Sequence, residues 1–185
     1  MSILLSLAPF AVFFVLMRAH SPLAGLLGAL AVSLLLCARM RGRGEAVKIL
    51  EVGSLVLFGL LNVYTWLAVP SWTVATVRLA VDVGLLAIVL VSLAIGQPFT
   101  LQYARERVPE HIWALPVFFT TNVIITSVWA GAFGVLVAAD AAAEWLPAVP
   151  LWIDIAASVA AFLVAVWFSN WYPVVVRRRA LAAAS

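Results

Sequence analysis

Apolar residues run along this chain in six long blocks, separated by short connections that carry most of its charges and prolines. The blocks cover roughly residues 2–18, 22–38, 49–69, 73–95, 116–139 and 151–174. A helix rises about 1.5 Å per residue and must cross about 30 Å of hydrocarbon, so the last four blocks are long enough to span a bilayer. The first two offer only about 24 Å each. Strand-like alternation is absent, and hydrocarbon does not tolerate unpaired backbone groups, so helix is the predicted state throughout. The predicted fold is all-α: one transmembrane domain over residues 1–185, a polytopic bundle of about six helices. The short first pair leaves two arrangements, a re-entrant hairpin or two true spans with Arg18 reaching back to the interface. Two spans are preferred, because re-entrant backbone must be surrounded by protein and this chain has little to spare.

Composition narrows the class further. The chain is 66% apolar and only 10% charged, with a mean hydropathy of +1.16, which excludes an ordinary soluble domain. The opening "MSILLSLAPFAVFFVLMRAH" lacks a basic start and a small-residue cleavage site, so it is expected to be a retained span and not a signal peptide. Cys37 is the single cysteine, which rules out an internal disulfide and a cysteine-rich metal site.

Charge placement predicts sidedness. Arg39, Arg41, Arg43 and Lys48 share one connection, Arg105 and Arg107 another, and Arg177, Arg178 and Arg179 the tail. Six spans put all nine on one side, and the positive-inside rule makes that side cytoplasmic, with both termini. Only Arg18 and Arg78 fall towards the other side, with Asp140, Glu144 and Asp154. Tryptophans agree: Trp66, Trp72, Trp145 and Trp152 mark the outer boundary, Trp113, Trp167 and Trp171 the inner one, and Trp129 alone lies deep in a span. The phrase "AVPSW" at 68–72 returns as "AVPLW" at 148–152, which hints at a duplicated helical hairpin.

Polar residues inside the spans are the candidate site. Arg78 and Asp82 stand four apart on one helix face, and each charge near the bilayer centre costs about 2.5–3.5 kcal/mol on the insertion scale. They form either a substrate, ion or headgroup site opening outward, or an ion pair that fixes packing. Asn62, Tyr64 and Thr65 on span three and Asn122, Thr126 and Ser127 on span five either bond helix to helix or line a polar core with Arg78 and Asp82. Glycines 25 and 28, and 131 and 134, are expected at close helix contacts.

The longest polar stretch, "GQPFTLQYARERVPEHIW", lies in the predicted cytoplasmic loop 96–115. Between Pro98 and Pro109 it reads as a short amphipathic helix with Thr100 near its N-cap, lying in the headgroups. It is either a connector or a contact surface, with Tyr103, Arg105, Glu106, Arg107 and His111 presented to a partner or to anionic lipid. His20 and His111 fall on opposite faces and cannot share a metal. No catalytic motif, phosphate loop, cofactor motif or nucleic-acid signature is present, so neither an enzyme nor a cofactor is expected.

Pro9, Phe13 and Phe14 ahead of a short break, a second apolar run and a basic loop resemble the opening of the bacterial intracellular septation protein A family. Pro98, Pro109 and Trp113 resemble that family's central loop, and "VWAGAF" in span five resembles its Trp-Ala-x-Phe stretch. The resemblance implies a non-enzymatic protein of the bacterial inner membrane that supports envelope maintenance or septation through cell-division or envelope partners. The competing function is a small transporter or lipid-handling protein with a polar cavity around Arg78 and Asp82.

Overall fold

A computed structural model describes residues 3–68, 73–146 and 151–184, and every regular element in them is helical. The order is α1 (Ile3–Ser6), α2 (Ala8–Ala19), α3 (Pro22–Gly42), α4 (Ile49–Ala68), α5 (Val74–Ala94), α6 (Phe99–Arg105), a single 3₁₀ turn (Glu110–Ile112), α7 (Pro116–Trp145) and α8 (Leu151–Ala184). Five of these, α3, α4, α5, α7 and α8, are long and apolar enough to cross a membrane. The protein is a multi-pass helical membrane protein. The paired "AVP" turns, and Trp72 with them, lie outside the described residues.

The chain divides into two units, Met1–Ile88 and Val89–Ser185. In the first, Ser21 caps α3: its hydroxyl accepts from the Ala24 amide at 3.2 Å, with Pro22 pre-set at the first helical position. At its other end α3 runs past residue 38 to Gly42, so the second span is not short. The reason is local. Gly44 takes φ +69°, which lets the Glu45 amide reach Met40 O at 3.0 Å and the Gly44 amide reach Arg41 O at 3.1 Å. Arg39 and Arg41 become the last turn, where cations suit the helix dipole.

Residues 3–19 form two short helices, α1 and α2, rather than one long one. Ser6 donates to the Glu51 carboxylate near the start of α4, and the Phe10 and Phe13 rings lie 5.2 and 6.0 Å from Phe58 at its middle. On α3, Cys37 donates to Glu51 O (3.7 Å), and Leu26 O accepts from Asn62 near the far end of α4. The turn at His20–Ser21 therefore lies beyond the level of Asn62, towards Ala68. Residues 3–19 and α3 both run the depth of α4, although Ala8–Ala19 alone is shorter than the five long apolar helices.

Helices α2 and α3 touch at Gly25 and Gly28, as expected, while α4 and α5 meet through Gly53 against Ile88 and Gly84 against Leu57. Gly131 and Gly134 behave differently from the expectation: a Cβ at either would meet nothing within 4 Å.

In the second unit α5 ends as α3 does. Gly96 takes φ +68°, and the Gln97 amide bonds Ser92 O at 2.9 Å. The chain then turns back as α6, anchored by the Phe99 amide on Ser92 Oγ at 3.2 Å. Helix α7 has 30 residues and α8 has 34, about 45 and 51 Å, so each exceeds the hydrocarbon thickness. They run antiparallel around Trp129, whose indole N–H donates to Ser169 Oγ at 2.9 Å. That partner explains how an indole sits deep in a span: its one donor is satisfied inside the protein. Trp66, Trp145, Trp152, Trp167 and Trp171, in contrast, are exposed.

Candidate functional site

The predicted intramembrane site divides between the two units. In the first, Arg78 and Asp82 share a face of α5. Asp82 is buried, and the Arg78 guanidinium lies 5.9 Å from the centroid of the Phe14 ring. The register set by Gly53–Ile88 and Gly84–Leu57 carries Asn62 to the level of residues 78–82. Asn62 spends both amide hydrogens on carbonyls, Leu26 O at 3.1 Å and Phe58 O at 2.7 Å. Those two acceptors fix the amide orientation, and its buried Oδ1 has no hydrogen-bond partner among the described residues. Tyr64, placed in the same candidate group, is 50% exposed and does not line an internal site.

Asn122 and Thr126 belong to the second unit and do different work. Thr100 on α6 donates to Asn122 O at 3.1 Å and shares a 2.8 Å hydrogen bond with the Thr126 hydroxyl. The Asn122 amide returns to its own helix, at Phe118 O. These residues fasten α6 to α7. Thr100 is therefore not a cap: the capping position is Pro98, and no side chain caps the helix.

The same contacts correct the reading of the 96–115 segment. Phe99, Thr100, Leu101 and Tyr103 are buried, Tyr103 to 2% exposure, and the Phe99 ring meets Trp129 edge-on at 6.2 Å. The apolar side of α6 packs on α7. Tyr103 is thereby removed from the candidate contact surface. Arg105, Glu106, Arg107 and His111 remain exposed, and the Arg105 guanidinium sits 5.5 Å from the Trp113 ring centroid.

Sequence reading passed over several buried ionisable groups. Lys48, Glu51, Asp140 and Asp154 join Asp82 at no more than 4% exposure. Glu51 was legible: Glu51, Ser54, Phe58 and Asn62 recur at helical spacing, and all four are buried on one stripe of α4. Asp140 and Asp154 read as outer connection charges, but α7 continues to Trp145 and α8 starts at Leu151, so both are helical. The antiparallel register fixed by Trp129 and Ser169 brings the two carboxylates to within about one helical turn of each other in depth along the α7–α8 hairpin. Ser158, one turn beyond Asp154, holds a buried hydroxyl without a hydrogen-bond partner among the described residues. Among the described residues no three His, Cys, Asp or Glu side chains converge as a metal site.

What these elements define is a class: a multi-pass helical membrane protein with ionisable side chains buried in its spans. No family model, curated protein or solved structure matches the chain.

Proposed function

We propose that this is a transporter or lipid-handling protein of the bacterial inner membrane, with both termini cytoplasmic, that holds a charged group of its substrate at buried ionisable residues. One observation carries the reading: four of the eight carboxylates, Glu51, Asp82, Asp140 and Asp154, are buried in apolar helices. A charge near the bilayer centre costs about 2.5–3.5 kcal/mol, a cost that falls on Asp82 near the middle of α5, and ionisable residues kept buried within spans characteristically mark substrate, ion or proton paths. A protein that served only as a scaffold could use apolar residues there.

The exposed Arg105, Glu106, Arg107 and His111 favour a second reading, in which envelope or division proteins dock on the loop. The resemblance to the septation protein A family points the same way. Growth rescue of a deletion strain separates the two. Asp82→Asn is expected to abolish rescue while leaving membrane insertion and melting temperature unchanged, and Arg105→Ala with Arg107→Ala is expected to leave rescue intact. A folded Asp82→Asn protein that rescues fully, or a loop variant that fails, would transfer the assignment to the docking reading. An Asp82→Asn protein that merely unfolds makes the Arg78–Asp82 pair structural.

A further inference from the structure

Helix α8 is the least covered of the five long spans: 11% of its apolar stretch is buried, against 28–39% in the others. Its uncovered side has an order. Trp167, Trp171, Val174 and Arg178 fall at i, i+4, i+7 and i+11, a single face of a helix, and all four are exposed. The two indoles stack with centroids 5.2 Å apart and planes 13° from parallel. Arg177 and Arg179 flank Arg178, also exposed. Deeper along the hairpin, Val164 and Ala160 of α8 and Val128 and Gly131 of α7 border an apolar groove of about 360 Å³.

The spacing of these features matches one kind of molecule. From Arg178 to Val164 is fourteen residues, about 21 Å of helix. One leaflet of hydrocarbon is about 15 Å deep, and its headgroup layer adds about 5–8 Å. A phospholipid with its phosphate at Arg177–Arg179 therefore puts its glycerol and ester region near Val174, about 6 Å in, its upper chains along the stacked indoles, about 10–16 Å in, and its chain ends at the mouth of the groove. We propose that this face of α8 is a binding site for an anionic diacyl phospholipid.

Charge selects the occupant. Asp154, buried near the other end, is the one acidic residue on α8, so nothing on this helix offsets the three arginines at its tail. A second copy of the chain packed here about an axis along the membrane normal would set Arg178 against Arg178. A zwitterionic lipid brings no net charge to meet them. The site is independent of the function proposed above, since none of the buried ionisable residues contributes to it.

Native mass spectrometry of the full-length protein in detergent, titrated with phosphatidylglycerol and with phosphatidylcholine of matched chains, tests the assignment. The protein is expected to prefer phosphatidylglycerol, and Arg177→Ala, Arg178→Ala and Arg179→Ala together to erase the preference, at roughly fivefold per arginine. Trp167→Ala with Trp171→Ala is expected to weaken both lipids alike. Arg39→Ala with Arg41→Ala, at another basic helix end, is expected to change nothing. Should the triple variant lose its melting transition, Arg178→Ala alone decides, and a loss near fivefold is required. The site is overturned if the folded variant keeps its preference, if the α3 variants lose as much, or if soluble glycerol phosphate displaces the lipid at equal concentration.

Discussion

Trp129→Ala is expected to destabilise the protein by about 3–5 kcal/mol, the range for emptying a buried tryptophan site. Its ring meets Phe99 of α6, Phe133 of its own helix and Phe162 of α8, at centroid distances of 6.2, 5.4 and 5.4 Å. Its N–H joins α7 to Ser169 of α8. In a bilayer, packing and hydrogen bonding between helices carry most of the association, so one truncation removes both terms at the junction of three helices. In detergent the melting temperature is expected to fall by roughly 6–20 °C. Trp129→Phe keeps most of the packing and loses only the hydrogen bond, a change of about 1 kcal/mol. Equal effects of the two substitutions would mean that α6 is not seated on Trp129.

Gly25→Val is expected to be the second severe change. A Cβ there lies 2.9 Å from the backbone oxygen of Phe13 and 3.0 Å from Met17 Cβ, and backbone cannot rotate away as a side-chain tip can. Overpacking of this kind costs about 1–3 kcal/mol, and the branched valine should reach the upper end. Gly28→Ala should cost less, since its Cβ meets the movable end of Leu16. Gly131→Ala has nothing within 4 Å to meet and gains helix propensity of up to about 1 kcal/mol, so it should be neutral or stabilising. Melting temperatures of the three variants in one detergent give the order. A Gly131→Ala protein as unstable as Gly25→Val would contradict the α2–α3 contact as the tight one.

These glycines show how far the sequence could be read. All four looked alike as small residues in apolar runs, and only the path of the partner helix separates Gly25 from Gly131. The five long spans were legible because length and hydropathy suffice to define them. So was the shared face of Arg78 and Asp82, because helical spacing needs no partner. The stripe from Glu51 to Asn62 was equally visible, though the cluster that buries Glu51 draws Ser6 and Cys37 from two other helices.

Three features were hidden for physical reasons. The apolar side of α6 has the same pattern whether it lies on headgroups or on a neighbouring helix, so Tyr103 read as a surface residue. Asp140 and Asp154 stand near span ends, where a carboxylate in water and one buried between helices have the same sequence context. The four extra residues of α3 depended on Gly44 adopting a left-handed conformation, and "RGRG" allows a loop as readily as a helix stop.

Side-specific labelling of single cysteines tests the membrane path most directly. In a Cys37→Ser background, a cysteine at position 20 or 145 is expected to react with an impermeant reagent from the periplasmic side. Cysteines at 43, 105 and 178 are expected to react only after the inner membrane is opened. A cysteine at 20 that reacts together with 43 and 105 would contradict the proposed crossing of residues 3–19, and with it the proposed six-span arrangement.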